Sequence, residues 1–236
     1  MTLLKAGMAI HLEDLRVTFR DPRGDEVPVL NIPELTLEDG EQLCLVGGSG
    51  SGKTTLLNVL AGITQPTAGK VCYGEVDIAA LSEAQRDDFR AKHIGYVFQS
   101  FNLLQSLSAI ENVALAGTFG GRSRSESTER ARRLLERVDL GHRLHSRPGT
   151  LSVGEQQRVG IARALINQPK VVLADEPTAN LDERRSDEVL ALLEEVVAEE
   201  DATLVLVTHE ARVRDRFVRG DTGAPQRVVD LKEVSA

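Results

Sequence analysis

The sequence predicts an α/β fold with a mainly parallel core sheet, an N-terminal antiparallel β subdomain and an inserted helical subdomain. Three observations carry this. The glycine loop at residues 47–54, GGSGSGKT, stands between a short apolar run, 42–46, and a helical run, 55–60. Two further apolar runs, 171–174 and 204–207, are continuous, as in strands buried on both faces, and they end in Asp175-Glu176 and Thr208-His209. From Asn102 to Arg147 the strand pattern gives way to helix.

Taken in order, residues 10–19 read as a strand, because Leu15, Val17 and Phe19 alternate onto one face. Asp21-Pro22-Arg23-Gly24-Asp25 is turn chemistry, residues 27–30 begin a return strand, and Leu35-Thr36-Leu37 is a second alternating stretch. That stretch ends at the turn Glu38-Asp39-Gly40-Glu41, which leads into the strand before the glycine loop. Beyond the first helix, Gln65-Pro66-Thr67-Ala68-Gly69 is a turn, 70–73 a short strand, and 82–92 a charged surface helix capped by Ser82. Residues 94–99 form a buried strand that closes on the polar Gln99.

In 128–141 the apolar Ala131, Leu134, Leu135 and Val138 fall at helical spacing, with Glu126 and Glu129 near the start and Gly141 at the end. Arg122, Arg124, Arg130, Arg132, Arg133 and Arg137 gather here. They read as a solvated helix face paired in part with Glu129 and Glu136, with a docking surface as the second reading. Helix 155–167 stopped by Pro169, strand 170–174, helix 183–200 and strand 203–207 complete the alternation. The tail beyond Arg219 carries Gly220, Gly223 and Pro225 before a last strand, 226–231.

The chain of 236 residues is read as a single domain, 1–236, with the helical subdomain at about 100–158. A net charge of −8 with few aromatics and no tryptophan argues against a nucleic-acid binder, while leaving a local basic patch open. No apolar run approaches the roughly 18 residues of a membrane-spanning helix, and Lys5, His11 and Glu13 break the N-terminal stretch before a signal-peptide core forms. A cytosolic chain is expected, with Cys44 and Cys72 as buried reduced thiols.

Residues 47–54 fit G-x-x-x-x-G-K-[ST] in the strand, loop, helix context the motif needs. Glycines let successive backbone N–H groups turn toward one anion, and the helix dipole adds to their field. Lys53 then reaches the β- and γ-phosphates, and Thr54 places its hydroxyl on Mg²⁺. In an open parallel sheet ligands bind beyond the carboxyl ends of the strands, so the reactive ends of the three apolar runs are expected at one site. Asp175 has the Walker-B position, holding Mg²⁺ directly or through water, and Glu176 is placed to polarise a water aimed at the γ-phosphate. His209 has two readings: donor to the γ-phosphate or orienter of the water, and an ordinary structural histidine after a strand. Gln99 is similarly two-sided.

Leu151-Ser152-Val153-Gly154-Glu155-Gln156-Gln157-Arg158 places Ser152 and Gly154 at the start of a long helix. This is a second anion-binding feature, with no phosphate left to serve inside a single nucleotide site. Together with 47–54, Gln99, Asp175-Glu176 and His209, in that order over nearly the whole chain, it resembles the ATPase domains of ABC transporters. The resemblance implies a P-loop NTPase fold, ATP and Mg²⁺ as ligands, and ATP hydrolysis coupled to transport. It implies nucleotide contacts from Gly47, Gly48, Ser49, Gly50, Ser51, Gly52, Lys53, Thr54 and Thr55, and metal contacts from Thr54, Gln99 and Asp175. Glu176, His209 and Gln99 become the catalytic set. Phe19 takes the place of the aromatic that stacks on adenine, with a core role, from its alternation with Leu15 and Val17, as the second reading.

In this family two ATPase domains pack head to tail. By implication Ser152, Gly154 and Glu155 reach the γ-phosphate held by a second copy, and Asp182, in the D-loop match Asn180-Leu181-Asp182, lies at the same interface. Two positions depart from the pattern: Val153 stands where the signature usually has its first glycine, and Glu210 replaces the aspartate often found after the switch histidine. Residues 94–104 (IGYVFQSFNLL), with Leu81-Ser82, Phe89-Arg90 and Glu111-Asn112-Val113, look like the lipoprotein-releasing, macrolide-export and cell-division group. A separate membrane permease is then implied as partner, with the chain peripheral on the cytoplasmic face. The alternative within that group is a regulatory or scaffolding ATPase that signals through a membrane protein without moving a solute.

Overall fold

The computed structural model describes residues 8–220 and 225–235; the Gly223 turn and residues 1–7 of the N-terminal stretch lie outside them. The chain divides into two compact units, residues 1–86 with 207–236 and residues 87–206.

The first unit opens with β1 (Ile10–Arg20) and β2 (Glu26–Leu37), continues through β3 (Gln42–Val46) and α1 (Lys53–Leu60), and adds β4 (Ala68–Tyr73) and β5 (Val76–Asp77). An antiparallel sheet of order β2-β1-β4-β5 results, which matches the antiparallel patch expected at this end. The return strand and the second alternating stretch are one strand of 12 residues, a correction to the sequence reading. Pro28 and Pro33 are tolerated inside it because β2 is the sheet edge, where a missing N–H costs no ladder bond. The Leu15/Val17/Phe19 alternation also fails at its last member. The register of β1 against β2 shifts between Val17 and Thr18, and Phe19 is 46% exposed, so the core role is excluded. Tyr73 is buried and its hydroxyl donates to the Leu60 carbonyl at 2.7 Å, tying β4 to the end of α1.

In the second unit, α2 (Glu83–His93) crosses the boundary and leads to β6 (Ile94–Val97), α3 (Ala109–Phe119), α4 (Arg124–Arg137), α5 (Val153–Leu165), β7 (Val171–Asp175) and α6 (Glu183–Glu199). Ser82 and Gln85 cap α2 reciprocally, as the sequence suggested for Ser82. Strands β6 and β7 pair in parallel, with Val97 opposite Ala174, and every residue of β7 is buried. Gly95 of β6 comes so close to α5 that a Cβ there would lie 2.4 Å from the Ala164 carbonyl oxygen. Gly95→Ala is therefore expected to lower the unfolding free energy by about 1–3 kcal/mol, read as a shift in urea midpoint at unchanged slope.

Two arginines of α4, Arg130 and Arg137, find partners other than Glu129 and Glu136. Arg137 bridges Glu195 and Glu199 of α6 at 2.9 and 2.7 Å, and Arg130 pairs with Glu200 while its Nε donates to the Ile166 carbonyl. These two stitch neighbouring segments together, because an arginine fork reaches further than the next turn of its own helix, while Arg124 and Arg133 are exposed, as a solvated face would have them.

Strand β8 (Thr203–Thr208) carries the chain back into the first unit, followed by α7 (Ala211–Arg219), β9 (Gln226–Asp230) and α8 (Leu231–Val234). Strands β3 and β9 pair in parallel over their full lengths. Cys44 is a buried thiol, whereas the Cys72 thiol is half-buried, a correction to the expectation that both are buried.

Candidate functional site

Between β3 and α1 the backbone reverses through Gly50 (φ +76°) and Gly52 (φ +93°), a region closed to most side chains. Gly52 is doubly constrained: a Cβ there would sit 2.7 Å from Leu30 Cδ2 and 3.1 Å from the Val29 carbonyl oxygen of β2. That packing seats the first turn of α1 on the edge strand, and no side chain caps α1. Its leading N–H groups are thus left to the loop and to a ligand.

Lys53 is only 6% exposed, and its ammonium donates to the Gly47 and Gly48 carbonyls at 2.8 and 2.9 Å. A cation is thereby held over the loop by bonds that can be exchanged for an anion. The Ser51 hydroxyl is buried without a hydrogen-bond partner. A Cβ at Gly48 or Gly50 would meet nothing within 4 Å. An orphaned hydroxyl, a clamped ammonium and open space along the loop fit a phosphate chain. Thr54 is exposed beside it, and in the same unit His209 is exposed just past β8, where Thr208 Oγ accepts the Glu210 N–H at 3.0 Å. Phe19 presents its ring to solvent.

In the second unit, buried β7 delivers Asp175, 7% exposed, as its last residue. Glu176 follows at φ +42°, and its carbonyl accepts the Ala179 N–H at 3.2 Å. A left-handed glutamate costs on the order of 1 kcal/mol and turns the chain sharply as it leaves the strand. Burial, and then the charge of Asp175, hold the Tyr96 phenol well above its usual pKa, so Tyr96 stays neutral.

Gln99 is exposed beyond β6, and the segment after it is held in an unusual shape: Phe101 and Asn102 both have positive φ, +57° and +49°. Arg163 of α5 explains how they persist. Its guanidinium donates to both their carbonyls at 2.7 Å and lies 5.6 Å from the centre of the Phe98 ring. Asn180 Nδ2 donates to the Gln99 carbonyl at 3.1 Å, which ties the turn after Glu176 to the Gln99 segment. The sequence reading did not single out Arg163. Its signal is an arginine set among Ile161, Ala162, Ala164 and Leu165 on a buried helix.

Ser152 caps α5 in a reciprocal box. Its Oγ accepts the Glu155 N–H at 3.3 Å and Glu155 Oε2 accepts the Ser152 N–H at 2.7 Å. The exposed Ser152 side chain also hydrogen-bonds the Glu155 carboxylate, closing the box at the helix end. A Cβ at Gly154 would meet only Arg185 and Leu181, at 3.9 and 4.0 Å, so nothing within the unit demands glycine there. Val153 is 38% exposed, and the departure from the usual glycine creates no crowding in this chain. Asp182 caps α6, accepting the Arg185 N–H at 3.1 Å, and is exposed.

A sequence profile of the ABC transporter family matches residues 30–179. The lipoprotein-releasing system ATP-binding protein LolD of Geobacter metallireducens is 48% identical over 209 residues, covering 89% of this chain and 91% of that protein. The macrolide export ATP-binding/permease protein MacB of Rhodopirellula baltica is 47% identical over 220 residues, covering 91% of this chain and 32% of that protein. The chain thus spans about a third of the length of such macrolide exporters. Among solved structures, the ATP-binding cassette MJ0796, a dimer in a post-hydrolysis state bound to ADP and Pi, superposes with a TM-score of 0.79 at 35% identity, over 86% of this chain and 89% of that one. This chain is therefore a member of the ABC transporter family, an ATPase cassette of the group that includes the LolD and MacB proteins.

Proposed function

We propose that the chain is the ATP-hydrolysing subunit of an export- or force-transmitting transporter, working as a head-to-tail homodimer on a separate membrane permease. The observation that carries it is the glycine loop, where the Lys53 ammonium is clamped by two loop carbonyls beside the partnerless Ser51 hydroxyl. Residues 47–55 bind the triphosphate, with Phe19 against the adenine. Thr54, Asp175 and Gln99 offer a hydroxyl, a carboxylate and an amide oxygen, the hard donors Mg²⁺ prefers. Bound Mg²⁺ supplies neutralisation of charge on the phosphate oxygens.

Glu176 takes the proton of the attacking water. Asp175 is buried at a strand end and committed to the metal, which makes it a poor base, whereas Glu176 is only half-buried on the turn beyond it. His209, exposed after β8, donates to the terminal phosphate. Ser152 and Gly154 act on the nucleotide of the second copy through the turn that Glu155 caps, with Asp182 at the interface. The Asn180 bond to the Gln99 carbonyl supports coupling between the D-loop and the segment assigned to the membrane partner. Among the described residues no helix is long and apolar enough to cross a membrane, so on this reading the chain sits on the membrane through its permease.

Specific ATPase activity of the purified chain is expected to rise with protein concentration, because the working site needs two copies. Activity per chain that stays constant across a hundredfold dilution range spanning the dimer constant would overturn the dimer mechanism.

A further inference from the structure

Glu155 poses an electrostatic problem. As the third residue of α5 it completes the capping box, but a carboxylate in the first turn also opposes the helix-end field that would attract a phosphate. The structure shows how the charge is managed. Oε2 is taken up by the Ser152 N–H at 2.7 Å, and Oε1 faces Arg143 Nε at 3.2 Å, from the short 3₁₀ turn at Gly141–Arg143. The Ser152 backbone N–H first, and then the Ser152 side chain and Arg143, hold the Glu155 carboxyl below its usual pKa, so the charge to be compensated is a full one.

A cleft of about 320 Å³ opens at this helix end, lined in part by Ser152, Gly154 and Glu155. Other acids around it are matched by bases: Asp139 by Arg158 at 3.1 Å, Asp182 by Arg185 at 3.4 Å, and Glu188 by Arg184 and Arg158 at 3.6 and 3.8 Å. Glu155 is the acid of this set that shares a helix turn with Ser152, and Arg143 is its partner. Its loss would leave one uncompensated negative charge at the helix end.

We propose that Arg143 is the positioning residue of the signature helix: by orienting and neutralising the Glu155 carboxylate, it lets that helix end receive the terminal phosphate of a nucleotide bound to a second copy of this chain. The inference rests on the trans reading of Ser152 given above. It explains how a glutamate can serve in an anion-binding turn. The side chain supplies the cap, and the arginine cancels its charge. Arg143 is nearly half exposed, so solvent screening trims the effect, and a change of about twofold to fivefold is expected.

The test measures the ATP concentration that gives half-maximal dimer by light scattering, with all chains carrying Glu176→Gln to prevent turnover. Arg143→Ala is expected to raise that concentration about twofold to fivefold at low salt, with the gap narrowing near 1 M salt, where charges are screened within roughly 3 Å. Arg143→Lys should keep most of the affinity, since charge is the agent. Adding Glu155→Gln to Arg143→Ala should restore it, because the amide still accepts the Ser152 N–H and leaves no charge to cancel. An Arg143→Ala defect that Glu155→Gln fails to repair would mean that Arg143 merely holds the loop, and would overturn the proposal; so would the absence of any defect. Ser152→Arg separates the two levels. If it still dimerises on ATP, the trans reading fails and this inference with it. If it does not, the Arg143 results judge the inference alone.

Discussion

Glu176→Gln is expected to collapse ATP turnover by about 10²- to 10⁴-fold while ATP binding survives and the dimer becomes stable enough to isolate. The substitution changes the charge and basicity of one side chain and little else. Glu176 sits on a turn whose backbone is fixed by the Ala179 N–H bond to its own carbonyl, and that bond does not depend on the side chain. An amide of the same shape keeps the left-handed turn and the contacts of neighbouring Asp175, so nucleotide affinity is preserved. What is lost is the group that accepts a proton from water. Because hydrolysis is what would release the two copies, a chain that binds and cannot cleave accumulates as the dimer. Steady-state phosphate release and size-exclusion chromatography with and without ATP read both halves. Turnover within threefold of the parent would remove Glu176 from the role of base and direct attention to His209.

The contrast between what the sequence displayed and what it hid follows from the range of the interactions. The glycine loop, the runs that became β7 and β8, and the start of α5 were readable because each is local: a motif of eight residues, a run of buried apolar side chains, a serine and a glycine at the head of a long helical run. Phe19 misled the alternation because the β1–β2 register shifts between Val17 and Thr18, and a shift is a property of the pair of strands. Helix α7 went unassigned because arginines dominate it, with Val213 and Phe217 as its buried residues. The partners of Arg163, Arg130 and Arg143 lie from 12 to 70 residues away in the chain, where no spacing rule reaches. At the site, the residue types were legible and the supports were not. Sequence pointed to Gln99, but not to the Arg163 guanidinium that holds Phe101 and Asn102 in left-handed conformations beside it.

Mixing two inactive chains supplies the second large expected effect. Lys53→Ala removes the ammonium clamped over the Gly47 and Gly48 carbonyls, and with it the cation assigned to the β- and γ-phosphates, so the variant alone should lose ATPase activity. Ser152→Arg replaces the cap of α5, sacrificing the hydroxyl that accepts the Glu155 N–H, and places a long side chain where the second copy's nucleotide is proposed to dock. It should be equally inactive for a different reason: its own loop is intact, but its signature cannot serve a partner. In a heterodimer of the two, the loop of the Ser152→Arg chain faces the intact signature of the Lys53→Ala chain, giving one complete site, while the other site carries both lesions. With random pairing of equal amounts, half the dimers are mixed and each holds one of two sites, so activity should recover to about a quarter of the parent at most. Recovery with this ceiling requires that each site be shared between copies. If either variant alone retains full activity as a monomer, the signature does not complete a neighbour's site, and the head-to-tail arrangement is wrong for this chain.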